Sequence, residues 1–328
     1  MPKIIRFHRI GGPDNLELEE GAVREPGSGE AKLKVQAVGL NRADSLFMRG
    51  LYLPPELPSR VGYEAAGVVT AVGPDVDAGW VGKPVATIPG YSMSQYGVLG
   101  EEAIVPANSL AEYPAQLSST QAAAIWMQYL TAYGALVMHG RVRPGDFVLI
   151  TAASSSVGLA AMAIAKGEGA TTIATTRTSK KRAALLALGA DHVIAAEEED
   201  LAERVDQITG GKGARLVFDP VAGPMIEKLA AAAAPRGTIF EYGFLSPEPA
   251  VLPLLTMLLK GLIIRGYSAY EVSADAEQFR KAKQYIFDRL QDGQLQPAIA
   301  RTFPLAQAAD AYRFLESNEQ VGKIVVTV

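Results

Sequence analysis

The chain has 328 residues, more than a single apolar core usually serves, so two domains are expected. Its 31 basic and 35 acidic residues leave a formal net charge of -4, and no run of Lys and Arg interleaved with aromatics offers a surface to phosphate backbones, which excludes nucleic acid as a main partner. The absence of cysteine excludes disulfides, thiolate catalysis and every metal site that needs a thiolate.

Residues 1–10 alternate apolar with charged side chains and lack the long apolar core and small-residue cleavage site of a signal peptide. They predict a strand, and the expected location is cytoplasmic. Ala31, Leu33, Val35 and Ala37 alternate with Lys32, Lys34 and Gln36, the period of two of a half-buried strand. Further short strands are predicted at 64–72, 84–88 and 101–105, punctuated by Pro54-Pro55 and Gly73-Pro74. This first third predicts an irregular β-barrel.

From Ser118 the texture changes. Residues 118–140 are alanine-rich and helical in period, and strand-like and helix-like runs then alternate: 147–151, 157–166, 171–175, 180–188, 192–195, 215–219, 224–234, 238–242 and 262–266. Ser179 is a plausible helix N-cap and Gly189 a plausible stop. Strand, helix, strand in series predicts an α/β doubly wound parallel sheet. The most apolar stretch, 250–264, carries Pro253 and Lys260 and falls short of the roughly 20 residues that cross a bilayer, so it is expected as buried or cleft-lining helix and strand and no membrane partner is expected. The tail predicts two helices and a final strand at 323–328 that returns to the first domain. The expected boundaries are 1–122 and 269–328 for a discontinuous β domain and 123–268 for the doubly wound one.

Between the strand at 147–151 and the helix after it lies Ala152-Ala153-Ser154-Ser155-Ser156-Val157-Gly158. Small residues let a backbone turn tightly there and approach a pyrophosphate, while the helix N-terminus supplies free N–H groups; only Gly158 remains of the usual three glycines. The next strand should end at the adenosine ribose, where NAD-selective folds place an acid. Here the chain reads Thr175-Thr176-Arg177-Thr178-Ser179-Lys180-Lys181-Arg182, four cations and no acid. Arg177 and Lys181 would pair with a 2'-phosphate, which predicts NADPH as the cofactor. A solvated basic helix start is the alternative, disfavoured because cations are unfavourable at a helix N-terminus unless an anion joins them.

Gly62-Tyr63-Glu64-Ala65-Ala66-Gly67-Val68-Val69, Leu130-Thr131-Ala132-Tyr133 and Arg143-Pro144-Gly145-Asp146 resemble, in order and spacing, the medium-chain dehydrogenase/reductases. Gly39-Leu40-Asn41-Arg42-Ala43-Asp44 and Gly50-Leu51-Tyr52 resemble the zinc-independent quinone oxidoreductase branch. The resemblance runs from the first strand to Gly322-Lys323-Ile324. It implies a GroES-like catalytic domain built from both ends of the chain, a Rossmann domain between them, and NADPH in the cleft. It further implies that Asn41 faces the ribose or nicotinamide, that Thr131, Ser155, Ser156 and Val157 approach the phosphates and nicotinamide, and that Gly243, Phe244 and Lys323 close over the cofactor. A homodimer through Rossmann edge strands, here 262–266, is implied as well.

Zinc alcohol dehydrogenases of this superfamily bind catalytic zinc through a Cys, a His and a further Cys or acid. Here Tyr63 stands where the His would be, Asp44 lies in the region of the first Cys, and His8, His139 and His192 are far apart, so no metal is expected. No Tyr-x-x-x-Lys pair is present to deprotonate an alcohol. An acceptor that is already electrophilic remains open to hydride: a quinone first, and alternatively an α,β-unsaturated carbonyl or enoyl thioester. Tyr52, then Tyr63, are the candidate proton donors, with an aromatic pocket wall as the other reading of each. An NADPH-binding sensor or structural protein with little turnover is the alternative of a different class.

Overall fold

The computed structural model describes all 328 residues. They form two compact units, Met1–Met127 with Pro297–Val328, and Gln128–Gln296. The strands are β1 (Lys3–Phe7), β2 (Leu16–Glu20), β3 (Glu30–Gly39), β4 (Ser59–Arg60), β5 (Ala65–Val72), β6 (Pro84–Thr87), β7 (Glu102–Pro106), β8 (Leu110–Ala111), β9 (Phe147–Ile150), β10 (Thr171–Thr176), β11 (His192–Ala195), β12 (Ala214–Asp219), β13 (Ala233–Glu241), β14 (Ile263–Gly266), β15 (Ile299–Pro304) and β16 (Lys323–Thr327).

The first unit is the GroES-like, β-rich domain. Its large sheet runs β15-β16-β3-β5-β6-β8, with β7 also on β3, and a smaller sheet runs β2-β1-β4. The alternation in β3 has its physical result: Ala31, Leu33, Val35 and Ala37 are all buried while Lys34 and Gln36 are exposed. The β3–β5 register shifts between Lys32 and Leu33 and again between Val35 and Ala37, and such irregularities bend a strand so that its sheet curls toward a barrel. The terminal strand returns as expected: β16 pairs antiparallel with β3 and parallel with β15.

The second unit is the Rossmann-like domain. Its sheet runs β11-β10-β9-β12-β13-β14 with every pairing parallel, so the order reverses between β9 and β12 and the ligand crevice of such a sheet lies beyond the carboxyl ends there. Leu149, Ile173, Ile194, Val217 and Ile239, one from each of five strands, are buried in a single apolar cluster with Leu201, Val205 and Leu229.

Four differences from the sequence reading have identifiable causes. The helix Leu201–Thr209 was not anticipated, although a crossover is required there; only Leu201, Val205 and Thr209 are buried, a weak apolar signal, while Asp200 accepts from the Glu203 backbone N–H at 2.9 Å as its N-cap. The run at 180–188 begins as a 3-10 turn, Ser179–Lys181, and becomes α-helical only over Arg182–Ala187, so Ser179 is no N-cap. The helices Tyr270–Ala274 and Ala276–Gln291 belong to the second unit, which moves the return from 269 to 297, and the tail adds β15 and a third helix, Ala308–Ser317. The apolar stretch 250–264 is only partly buried: Leu262 joins the apolar cluster with Met257 and Ile264 packed against it, but in the helix Leu254–Lys260, Leu255 and Leu258 are each 71% exposed and Leu259 is 78% exposed. No helix is long and apolar enough to cross a membrane.

Candidate functional site

In the second unit the phosphate-loop candidates occupy the junction of β9 with the helix Ser156–Gly167. Ser155 is the N-cap, its Oγ accepting from the Gly158 backbone N–H at 3.0 Å, so Ser156, Val157 and Gly158 form the first turn. That turn leaves backbone donors directed beyond the strand ends, the arrangement that suits an anion. Gly158 is required sterically: a Cβ there would lie 2.6 Å from Ala153 Cα and 2.8 Å from the Ala152 carbonyl oxygen. The other two glycine positions of the motif are replaceable because Ala153 packs as a buried methyl and Ser155 repays its side chain with the cap. Ala152, at φ 44°, takes the left-handed conformation that the tight turn demands.

The basic run follows β10. Thr176 ends the strand, Arg177 is exposed and Lys181 reaches back so that its Nζ donates to Ser154 Oγ at 3.0 Å, which brings the cation to the phosphate loop. The acidic run Glu197-Glu198-Glu199 follows β11 and engages part of this basic run. Glu199 pairs with Arg182 and, at 3.1 Å, with Arg204, while Glu198 accepts from the Ser179 backbone N–H at 3.0 Å. Arg182 is thereby paired, whereas Arg177 makes no ion pair. Opposite, Gly243 follows β13; a Cβ there would lie 3.0 Å from the Pro220 carbonyl oxygen, so glycine permits the 243–246 segment to lie against 220–221, where the Leu245 and Ser246 N–H groups donate to the Pro220 and Val221 carbonyls at 2.9 Å each. Phe244 is 48% exposed and Thr131, on the helix Trp126–Tyr133, is buried. Small residues, cap, first turn and basic run together fit a dinucleotide with an extra phosphate.

In the first unit Asn41 caps the helix Arg42–Met48, its backbone N–H donating to Asp44 Oδ2 at 2.8 Å. Its side chain is fully engaged inside the protein: Nδ2 donates to the Gly39 carbonyl and to Glu64 Oε2, each at 3.1 Å, and Oδ1 accepts from Lys323 Nζ at 2.7 Å. Lys323, 1% exposed, also donates to Glu64 Oε2 at 2.6 Å, and Glu64 Oε1 accepts from the Met127 backbone N–H at 2.9 Å. Lys323 and Glu64 thus form a buried ion pair to which Asn41 is hydrogen-bonded, a partnership without a trace in the sequence because Asn41 and Glu64 lie 282 and 259 positions from Lys323. Next to it, Asp44 is completely buried and accepts from Tyr312 OH at 3.1 Å; burial pushes its carboxyl up to about 7 against the opposing pull of the Asn41 N–H and the Lys323 charge. Tyr63 is 2% exposed in the apolar core, whereas Tyr52, on the loop after the helix, is 40% exposed. Of the two candidate donors only Tyr52 is exposed.

One group of metal-capable side chains is present, His8, Glu17 and Glu19 on the exposed β1–β2 hairpin, where Arg6 already pairs with Glu19 at 3.2 Å. It involves none of the candidate residues.

Residues 156–286 match the family model of a zinc-binding dehydrogenase, and residues 27–115 that of an alcohol dehydrogenase GroES-like domain. The first segment contains a single histidine, His192, and no cysteine, so the descriptive name carries no zinc site over to it. A 2-haloacrylate reductase of Burkholderia sp is 33% identical over 327 residues, spanning 98% of this chain and 97% of that protein. The crystal structure of Escherichia coli quinone oxidoreductase complexed with NADPH is similar at a TM-score of 0.92 and 32% identity, covering 99% of this chain and 100% of that one. A crystal structure of an NAD-dependent alcohol dehydrogenase is similar to the same degree, TM-score 0.92 and 33% identity over 99% of each chain.

Proposed function

We propose, because this chain belongs to the medium-chain dehydrogenase/reductases and within them to the zinc-independent, quinone-oxidoreductase-like branch, that it takes hydride from NADPH and delivers it to a quinone. The observation that carries the cofactor choice is the acid-free end of β10, where Arg177 stands unpaired and Lys181 reaches the phosphate loop. A similar protein is described as NAD-dependent, and the chemistry of these two cations is what argues for the phosphorylated dinucleotide here. When bound, NADPH supplies the hydride. The chain's part is to hold the phosphates on the first turn of Ser156–Gly167, to hold the 2'-phosphate with Arg177 and Lys181, and to bracket the ring with Thr131 and the Gly243-Phe244 segment.

An acceptor that is already electrophilic needs no Lewis acid, only placement and a proton for the developing oxyanion. Tyr52 is the proposed donor: it is exposed, and a phenol's reference pKa of about 10 is close to that of a hydroquinone. The likeness to a 2-haloacrylate reductase supports a second reading, reduction of an activated carbon-carbon double bond, which the same donor would serve at carbon. Following NADPH absorbance with a benzoquinone, a naphthoquinone, an enal and an enoyl-CoA in parallel distinguishes them. Turnover is expected with the quinones, and Tyr52→Phe is expected to lower kcat by about 100-fold, the lower end for general acid catalysis. Unchanged turnover in the variant would assign the proton to solvent, and binding without oxidation across the panel would favour a sensor.

The partner proposed for the exposed leucine helix is a second copy of this chain. β14 ends the six-stranded sheet with an open edge, Ile263 is 55% exposed on it, and Leu255, Leu258 and Leu259 stand out from the preceding helix. Pairing two such edges satisfies the free backbone groups and covers a patch that water otherwise meets. Sedimentation should show a dimer for the unmodified chain and a monomer for Leu255→Asp/Leu258→Asp. A monomer in both would remove this proposal.

A further inference from the structure

We propose that Asp219 and Glu241 form a carboxyl pair holding one shared proton, and that binding of the oxidised, positively charged cofactor expels this proton while binding of the reduced cofactor does not. The inference rests on the reading that the second unit binds NADP(H). Its geometry is set by strand ends. Asp219 ends β12 and Glu241 ends β13, and the two are direct neighbours in the parallel register; Thr151, just past β9, completes the row. Strand alternation puts these three side chains on the same face as Leu149, Val217 and Ile239, so an apolar face terminates in a polar tip at the carboxyl ends. The row crosses the β9–β12 reversal, where dinucleotides lie in sheets of this order.

The two carboxyls differ in what surrounds them. Asp219 is fully buried but well supplied with donors: Thr151 Oγ1 donates to Oδ1, and the Ala222 backbone N–H donates to Oδ2 at 2.7 Å. Glu241 has both oxygens buried and no donor for either. A buried carboxylate without donors is unstable, and its remedy is a proton, which turns it into a neutral acid able to donate to Asp219. Burial first and the Asp219 charge second push the Glu241 carboxyl up to about 9, so the pair carries one negative charge at neutral pH.

No cation offsets that charge. The 220–224 segment presents only Pro220, Val221, Ala222, Gly223 and Pro224, and β14 presents Gly266 opposite Glu241. Tyr242 turns to the other face and stacks on Phe218 at 4.0 Å, its hydroxyl kept neutral by burial. Arg265, level with Phe240, lies on that other face with His139 and Glu271. A positive charge arriving at these strand ends therefore meets a carboxyl pair able to give up its proton and gain a second negative charge. Oxidation of a dihydronicotinamide places one positive charge on its ring, and NADP+ differs from NADPH in that charge. The balance is simple: the protonated pair and NADP+ give the complex with a doubly ionised pair and one proton in solvent.

Isothermal titration of each nucleotide in two buffers of different protonation enthalpy, from pH 7 to 9, tests this directly. NADP+ should release up to one proton more than NADPH, and its Kd should fall by up to about tenfold per pH unit below the titration of the pair, while that of NADPH stays flat. Titration of the 2'-phosphate is common to both nucleotides and cancels in the difference. Glu241→Gln, or Glu241→Met should the first fold poorly, is expected to abolish the difference. NADPH binding with equal proton release for both nucleotides, or a difference that survives in the variants, would overturn the proposal alone. Failure of NADPH to bind the unmodified protein would overturn it together with the cofactor reading.

Discussion

Replacing Arg177 with alanine is expected to raise the dissociation constant for NADPH by about 10- to 100-fold while changing that for NADH by no more than about threefold, as measured by quenching or titration calorimetry at fixed ionic strength. The range follows from the roughly 1.5 to 3 kcal/mol that a hydrogen bond to a charged group contributes. The selectivity follows from where the cation stands. Arg177 is exposed after β10 and makes no ion pair with the acidic run 197–199, of which Glu199 pairs with Arg182 and Arg204 and Glu198 accepts from the Ser179 N–H. Removing Arg177 therefore breaks no internal pair, and little stability should be lost with it. Raising the salt concentration should weaken NADPH more than NADH in the unmodified protein, since an exposed pair is screened. Equal losses for both nucleotides would assign the 2'-phosphate to other residues and leave the likeness to an NAD-dependent relative as the better guide to the cofactor.

What could be read from the sequence was whatever leaves a local periodic or compositional trace. The alternation at 31–37 appears as a buried face of β3, the β-α alternation after Ser118 as a parallel sheet, and the basic run with Gly158 as a strand end beside a helix start. Partnerships made by register and by the fold's closure left no such trace. Asp219 and Glu241 meet only because β12 and β13 are adjacent and in register, and Lys323 meets Asn41 and Glu64 only because β16 returns to β3. The Leu254–Lys260 helix misled for a third reason: apolar residues imply removal from water, and within one chain that reads as a core, whereas here the leucines point outward. The resemblance implies that Asn41 faces the ribose or nicotinamide and that Lys323 closes over the cofactor; both side chains are buried, 6% and 1% exposed, and are hydrogen-bonded to each other.

That burial makes Lys323→Met the most severe change to expect in the first unit. The Lys323 ammonium is held by Asn41 Oδ1 at 2.7 Å and Glu64 Oε2 at 2.6 Å, with both ions essentially without solvent. Removing one partner leaves Glu64 with a buried charge balanced only by the Asn41 amide and the Met127 N–H, and such losses cost about 3 to 5 kcal/mol. The variant should unfold at a markedly lower denaturant midpoint with an unchanged slope. Gly39 sharpens the effect, since it lies so close to Ala123 and Lys323 that the lysine stem fills a space no larger side chain could share. Replacing both members, Lys323→Met with Glu64→Leu, removes the stranded charge, and the double variant should recover much of the loss, because a buried pair exchanged for apolar groups of similar volume is often nearly neutral. A direct cofactor contact predicts the opposite pattern: Lys323→Met would then keep its stability, lose NADPH affinity, and gain nothing from the second substitution. Denaturant midpoints of the two variants, read beside their NADPH dissociation constants, separate a lysine that acts on a ligand from one that holds Asn41 and the turn before the helix Arg42–Met48 in place.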